Sequence, residues 1–145
     1  MKSYVMDASV GAKWCMPIAG EDLLPEALAL LEAFRGGQSR VVVPELFWTE
    51  ITSALWKAVR RSKLSLSDAA SALSWLQKTE IVSVSTSHLL THALSVAAKY
   101  NRTVYDCVYV ALALESGMEL ITADERLANA LAAYFPVKWL GAFSA

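Results

Sequence analysis

The chain has 145 residues, of which 55% are hydrophobic and 19% are charged. This length suits a single domain, residues 1–145, and the apolar content excludes an intrinsically disordered chain. The formal net charge is −1, from 13 basic and 14 acidic residues. The chain as a whole therefore does not attract nucleic acid or an anionic membrane, and any polyanion has to be bound at a local site.

Membrane, export and redox signals are missing from the sequence. The longest uninterrupted apolar run, Cys107–Leu114, has eight residues, whereas a helix that crosses a bilayer needs about 20. Charged residues at Lys2 and Asp7 interrupt the start of the sequence, so this stretch lacks an apolar signal-peptide core and we do not expect export by that route. The two cysteines, Cys15 and Cys107, match no metal or redox spacing. We therefore expect a cytoplasmic protein with no membrane segment.

The apolar pattern along the chain predicts strands and helices in alternation. The predicted elements are, in order, a strand over Lys2–Met6 ending in a turn at Asp7-Ala8-Ser9, a helix over Glu21–Phe34, a strand over Arg40–Val43, a helix from Pro44 to about Arg61, a helix from Ser67 to Gln77, a strand over Glu80–Val84, a helix over Ser85–Tyr100, a helix from Thr103 to Gly117, a strand over Glu119–Thr122, a short helix over Asp124–Ala133 and a possible fifth strand over Val137–Leu140. Strands separated by helices need crossover connections. The prediction is therefore an α/β fold with a largely parallel central sheet of four to five strands and helices on both faces.

Three aspartates lie at or near the predicted ligand-binding edge of the sheet, which is formed by the carboxyl ends of its strands. Asp7 directly follows the first strand and Asp124 follows the fourth, and ligands bind beyond the carboxyl ends of parallel strands. Asp106 lies in the first turn of a helix, within a Thr103-x-x-Asp106 capping box. A carboxylate is stabilised there by the helix dipole whatever else it does, so a structural role alone would also explain Asp106.

Glu50 is the acid that is least easily explained by local structure. At about 100° per residue, Glu50 falls inside the apolar arc of its helix, between Leu46 and Leu55. A carboxylate on the core-facing side of a helix is costly unless it is paired. Lys57 and Arg61 lie about 10 and 16 Å further along the helix axis, too far for a direct ion pair.

A shared site would explain all four acids, Asp7, Glu50, Asp106 and Asp124. Four carboxylates in one small volume raise one another's pKa values. Divalent cations remove that penalty, and hard oxygen ligands select Mg²⁺ or Mn²⁺ over Zn²⁺. Such a metal site can polarise a phosphoryl oxygen and activate water. Phosphodiester hydrolysis follows as a hypothesis, with helix capping and core packing as the alternative explanation of each acid alone.

Four segments of the chain resemble PIN-domain ribonucleases, and among them the VapC toxins of toxin–antitoxin pairs. The resemblance covers nearly the whole chain and rests on motifs in the family's order: Val5-Met6-Asp7-Ala8-Ser9-Val10, Val43-Pro44-Glu45-Leu46-Phe47-Trp48-Thr49-Glu50-Ile51 with Ala54-Leu55, Tyr105-Asp106-Cys107-Val108-Tyr109-Val110-Ala111-Leu112-Ala113, and Leu120-Ile121-Thr122-Ala123-Asp124. Cys107 stands where the family often has alanine, which leaves the acids intact.

The resemblance implies a function and a set of residues for it. Asp7, Glu50, Asp106 and Asp124 correspond to the family's acidic metal-binding and catalytic set. Ser9 and Thr122 correspond to its hydroxyl residues, which hold carboxylates or metal-bound water. The implied activity is that of an endoribonuclease dependent on Mg²⁺ or Mn²⁺, which cuts RNA with metal-activated water. The resemblance also implies a homodimer and a small antitoxin that binds and blocks the toxin.

A cluster of cations ends the helix that carries Glu50. Lys57, Arg60, Arg61 and Lys63 lie within seven residues and are candidates for contacts to RNA phosphates. The alternative explanation is a solvated helix end, since cations complement the dipole there. Further cations near the predicted acidic edge could also attract RNA; they are Lys13, Lys99, Arg102 and Arg126.

Three other functions remain open on the sequence. A PIN-domain nuclease could act in RNA processing without an antitoxin. A phosphohydrolase could use Asp7 as its nucleophile, although Ser9 replaces the second aspartate that such enzymes carry two residues on. A catalytically silent interaction domain could work through its apolar surface alone.

Overall fold

A computed structural model describes residues 1–144 and contains one five-stranded sheet with helices packed on it. The strands are β1 (Lys2–Met6), β2 (Ser39–Pro44), β3 (Val82–Val84), β4 (Glu119–Thr122) and β5 (Val137–Trp139). The helices are α1 (Ala8–Cys15), α2 (Leu24–Arg35), α3 (Leu46–Arg60), α4 (Leu66–Gln77), α5 (Leu90–Tyr100), α6 (Val104–Ser116) and α7 (Glu125–Leu131). Short 3₁₀ turns cover Ser87–Leu89 and Leu140–Ala142.

Every strand pair of the sheet is parallel, in the order β3-β2-β1-β4-β5. Val5 of β1 is in register with Val42 on one side and with Leu120 on the other. Helices α1 to α4 pack with one another, and α5 packs on α6. Right-handed crossovers put the first group on one face of the sheet and α5, α6 and α7 on the other. The predicted α/β class, with a parallel sheet and helices on both faces, is confirmed.

The order of the strands creates a crevice beside β1. From β1 the chain crosses to β2 and then β3 on one side, whereas β4 and β5 are added on the other side. The connections therefore diverge between the carboxyl ends of β1 and β4. Ligands bind at this kind of switch point in open α/β sheets, and Asp7 and Asp124 are the residues that follow these two strands.

The core lies around the central strands and α6. Val5 and Met6 of β1 and Ile121 of β4 are fully buried. Every residue of α6 from Cys107 to Ala113 is buried, which explains the long apolar run in the sequence, since a helix that is apolar all round is an interior helix. Within residues 1–144, no helix combines the length and the apolar character needed to cross a membrane.

The prediction of a turn at Asp7-Ala8-Ser9 is wrong, because a helix begins there. Asp7 has an extended backbone, and α1 starts at the next residue. Gly11 lets this helix approach α3 closely: a Cβ at Gly11 would lie 2.7 Å from Cζ of Phe47 and 3.0 Å from Cδ1 of Ile51. The short helix has only one turn of buried spacing, from Val10 to Trp14, which is too little periodicity for a sequence-based prediction.

Other differences concern the ends of elements. Pro44, predicted to open a helix, is the last residue of β2 and pairs with Val84, and α3 begins at Leu46. Helix α4 begins at Leu66 rather than Ser67, because the Oγ atom of Ser65 accepts a hydrogen bond from the backbone N–H of Asp68. The predicted helix over 85–100 is a 3₁₀ turn followed by α5.

Candidate active site

Asp7 is held at the carboxyl end of β1 by groups of β4 and α1. Asp7 is only 8% exposed, and its backbone N–H donates to the carbonyl of Ile121 at 3.0 Å. Its Oδ2 atom accepts hydrogen bonds from the Oγ atom of Ser9 at 2.8 Å and from the Oγ1 atom of Thr122 at 2.7 Å. The carboxylate therefore has a fixed orientation in the crevice between the two strands.

The two hydroxyl groups are themselves fixed by the backbone of the β4–α7 connection. The Oγ atom of Ser9 accepts from the N–H of Ala123 at 3.0 Å, and the Oγ1 atom of Thr122 accepts from the N–H of Asp124 at 3.0 Å. Because each hydroxyl already accepts a backbone hydrogen bond, its own proton is free to point at Asp7. The structure thus gives both hydroxyl residues a contact with a candidate catalytic carboxylate.

Glu50 is paired with a tyrosine that the sequence analysis missed. The hydroxyl of Tyr109, on α6, donates to Oε1 of Glu50, on α3, at 2.7 Å. Tyr109 is 1% exposed and lies three residues after Asp106, hence on the same face of α6. A hydroxyl on an otherwise apolar helix, one turn from a candidate ligand, was the signal that could have identified it.

Asp106 and Asp124 both have the structural roles expected of helix starts. Thr103 caps α6 by accepting from the N–H of Asp106 at 3.1 Å, which confirms the predicted cap. Asp124 caps α7, since its Oδ1 atom accepts from the N–H of Leu127 at 3.1 Å. In both residues the Oδ2 atom faces a common cation: the Nη2 atom of Arg102 lies 3.6 Å from Asp106 and 3.8 Å from Asp124.

The carboxylates influence one another electrostatically. Burial is the main cause that raises the pKa values of Asp7, Glu50 and Asp106. Repulsion adds to it: Asp106 raises the pKa of Asp7, both raise that of Glu50, and Asp124 raises that of Asp106. Hydrogen bonds from hydroxyl groups oppose this at Asp7 and Glu50, and Arg102 opposes it at Asp106. The four acids therefore belong to one electrostatic cluster.

The donor set fits a hard divalent cation, although no three ligands converge on one point. Among residues 1–144, no group of three acidic, histidine or cysteine side chains is close enough to share an ion. Mg²⁺ keeps several of its waters and is usually held by only one or two carboxylates. Asp106 and Asp124 offer such a pair of oxygen donors, since their Oδ2 atoms lie 3.6 and 3.8 Å from the same Nη2 atom of Arg102.

The four cations at the end of α3 lie away from the acids. Helix α3 starts at the carboxyl edge of the sheet, directly after β2, and runs back from it. Arg60 is about 15 Å along the axis from Glu50, and its guanidinium lies 4.6 Å from the ring centre of Trp56. The structure therefore does not bring Lys57, Arg60, Arg61 and Lys63 to the acidic cluster. Arg102 is the cation that it does bring there.

Comparison with known proteins identifies related sequences. The PIN domain family matches residues 4–131. The chain is 37% identical over 82 residues to Ribonuclease VapC3 of Pyrobaculum aerophilum, an alignment that spans 55% of the chain and 63% of that relative's length. It is 32% identical over 98 residues to Ribonuclease VapC9 of Mycobacterium tuberculosis, covering 68% of the chain and 76% of the relative.

Solved structures with the same fold cover almost all of the chain. PAE2754 of Pyrobaculum aerophilum matches with a TM-score of 0.70 at 21% identity, over 97% of this chain and 85% of that one. VapC20 of Mycobacterium tuberculosis, a toxin that cleaves the sarcin–ricin loop, matches with a TM-score of 0.65 at 17% identity, over 91% and 95%. A toxin–antitoxin complex from Klebsiella pneumoniae matches with a TM-score of 0.61 at 18% identity, over 93% and 95%. The chain, with its acidic crevice between β1 and β4, belongs to the PIN domain family.

Proposed function

We propose that the chain is a divalent-metal-dependent endoribonuclease and the toxin of a VapBC-type toxin–antitoxin pair. The observation that carries the proposal is the electrostatic cluster of Asp7, Glu50, Asp106 and Asp124 at the switch point of the sheet. Relatives named as VapC ribonucleases support the choice of RNA as the substrate. A nuclease acting on cellular RNA would work in the cytoplasm.

The residues of the chain divide the work of such a site. Asp7, Glu50, Asp106 and Asp124 would hold Mg²⁺ or Mn²⁺. When bound, the ion supplies charge stabilisation at the phosphoryl group and a more acidic water. Ser9 and Thr122 both donate to one oxygen of Asp7 and so fix the orientation of its carboxylate. Tyr109 orients Glu50 in the same way and favours its ionised form.

Contacts to the rest of the RNA would come from cations outside the crevice. We assign Lys57, Arg60, Arg61 and Lys63 to phosphates away from the bond that is cut, because α3 carries them away from the acids. Within residues 1–144, none of the four forms an ion pair with a carboxylate, which leaves them available to phosphate groups.

The antitoxin and the homodimer are the proposed protein partners. An apolar groove between α3 and α4 includes Trp56, which is 54% exposed, and Leu66, which is 75% exposed. Exposed apolar surface of this kind marks interaction sites, and we assign it to the antitoxin. The proposed antitoxin should bind the wild type and lose affinity for Leu66→Glu, whereas Leu90→Glu on α5 serves as a control. The homodimer is tested by light scattering, which should give a molar mass twice that of one chain.

The metal site is tested by calorimetry with Mn²⁺ and by RNA cleavage in the same samples, with and without chelator. We expect wild type to bind and cleave, and Asp106→Asn and Glu50→Gln to lose both while keeping the circular dichroism spectrum of the fold. Asp68→Asn, an exposed first-turn aspartate of α4, is the matched control and should behave as wild type. Equal metal binding by all four proteins would overturn the proposed site.

The same samples distinguish the competing functions. A phosphohydrolase with Asp7 as nucleophile would form a phosphorylated enzyme, but Asp7 is 8% exposed and its Oδ2 atom already accepts two hydrogen bonds. A silent interaction domain would keep its cellular effect in Asp106→Asn. A processing nuclease would cleave RNA but would bind no neighbouring antitoxin.

A further inference from the structure

Arg102 is the middle residue of the three-residue connection between α5 and α6. Asn101, whose φ of 53° is left-handed, caps the end of α5, and Thr103 caps the start of α6. Arg102 therefore has little backbone freedom, and its side chain is 23% exposed. Its Nη2 atom faces the Oδ2 atoms of both Asp106 and Asp124.

The contacts of this guanidinium group are those of a loosely bound counter-ion. Its distances to the two carboxylates, 3.6 and 3.8 Å, exceed the usual range of about 2.7–3.2 Å for a hydrogen bond. Its Nε atom is buried and, within residues 1–144, has no hydrogen-bond partner. Arg102 thus supplies charge between two acids without the paired geometry that normally fixes an arginine on a carboxylate.

We propose that Arg102 is a built-in counter-ion of the metal-free protein, which a divalent cation displaces from between Asp106 and Asp124. This inference rests on the proposed metal-dependent function. Asp106 and Asp124 would hold the ion, which would supply at their carboxylates the positive charge that Arg102 now supplies. Because the two positive charges repel each other at such short range, metal binding disfavours the present position of Arg102.

The competition between Arg102 and the metal ion predicts the direction in which metal affinity changes when Arg102 is removed. Without Arg102, the two carboxylates of the metal-free protein repel each other without compensation, so this state is less stable. The metal-bound state at the same time loses a repelling positive charge. Both changes favour the ion, so removing Arg102 should strengthen metal binding. A residue that only supports the local structure would have the opposite effect, because a disordered site binds metal less well.

The test compares Mn²⁺ affinity by calorimetry in wild type, Arg102→Gln and Arg102→Lys, with Asp106→Asn as the variant lacking a ligand. Arg40→Gln, which removes the same charge near the amino end of β2, is the matched control. We expect Arg102→Gln to bind Mn²⁺ roughly threefold to tenfold tighter, while Arg102→Lys and Arg40→Gln stay near wild type. Arg102→Met keeps the aliphatic length if the Gln variant does not fold.

A second measurement is the melting temperature in chelator and in saturating Mn²⁺. Arg102→Gln should melt lower than wild type without metal and gain more on metal addition. Equal or weaker Mn²⁺ binding by Arg102→Gln, with binding still lost in Asp106→Asn, overturns the competition alone. Unchanged Mn²⁺ affinity with weakened RNA binding also overturns it and makes Arg102 a phosphate contact. Binding that does not differ between wild type and Asp106→Asn overturns the proposed metal site and the competition together.

Discussion

Tyr109 and Glu50, which come from α6 and α3 on opposite faces of the sheet, meet through a hydrogen bond of 2.7 Å beyond the carboxyl ends of the strands. This bond lowers the pKa of Glu50 against the effect of burial, which raises it. Tyr109→Phe removes the donor and so raises the pKa of Glu50. The acid limb of the pH profile of RNA cleavage should therefore move to higher pH.

The same substitution should cost about 1 kcal/mol of the free energy of unfolding, measured with urea. Tyr4→Phe is the matched control, since Tyr4 is a buried tyrosine of β1 whose ring packs on Phe143 and which does not contact Glu50. An unmoved acid limb in Tyr109→Phe would show that Glu50 does not titrate in the reaction.

Thr122 is the fully buried hydroxyl that joins Asp7 to the start of α7. Thr122→Val keeps the shape but leaves the N–H of Asp124 without its acceptor and Asp7 without one donor. We expect a loss of about 1–3 kcal/mol in the free energy of unfolding. Thr52→Val removes an exposed hydroxyl that bonds only within α3 and should cost less than about 0.5 kcal/mol. Equal losses in both variants would contradict the buried network.

The raised pKa values of Asp7, Glu50 and Asp106 predict how the stability of the metal-free protein depends on pH. Each carboxyl binds its proton more tightly in the folded chain than at its ordinary pKa of 3.8 or 4.5. The folded state then holds more protons, so these groups make the free energy of unfolding fall as pH rises above those values.

Urea unfolding in chelator between about pH 5 and pH 8 measures this dependence. Asp106→Asn removes one of the three groups and relieves the repulsion on the other two. The fall of stability with pH should therefore be smaller in Asp106→Asn than in wild type. A steeper fall in the variant would mean that the carboxyl of Asp106 is stabilised in its ionised form.

Local signals were sufficient to predict those parts of the site that depend on neighbouring residues in the chain. Thr103 and Gly117 predict the two ends of α6. The end of the first strand at Met6 predicts that Asp7 lies at the carboxyl edge of the sheet. The partners of the acids depend on tertiary structure instead. The order of the strands, with β4 beside β1, brings Thr122 to Asp7, and no local pattern predicts that order.

The pairings of Glu50 and Arg102 were beyond the sequence for the same reason. The helical arc identified Glu50 as an acid on the apolar side, but its partner lies on a helix from the opposite face. Arg102 was one of several cations near the acidic edge in sequence. In the structure it lies between the left-handed cap of α5 and the cap of α6, and it is the cation that faces the two aspartates.

Gly11 sets how closely α1 approaches α3, and so the distance between the helices that follow Asp7 and carry Glu50. A methyl group there would lie 2.7 and 2.8 Å from two ring atoms of Phe47, which is itself fully buried. Gly11→Ala should therefore cost about 1–3 kcal/mol in thermal or urea unfolding. A gain in stability, as expected for alanine in an unconstrained helix, would show that α1 can move away without loss.

The cations after α3 provide a test of where RNA lies outside the crevice. Arg61→Gln with Lys63→Gln should weaken binding of single-stranded RNA, measured in chelator so that no cleavage occurs. Each phosphate contact contributes about 0.7 to the slope of log affinity against log salt for single strands. If both residues contact phosphates, the slope of the double variant should therefore be shallower by about 1.4. Lys2→Gln with Arg40→Gln removes the same charge at the amino ends of β1 and β2 and should leave the slope unchanged. An unchanged slope in the Arg61→Gln, Lys63→Gln variant would show that these residues only form a solvated helix end, because a cation that contacts no phosphate releases no counter-ions.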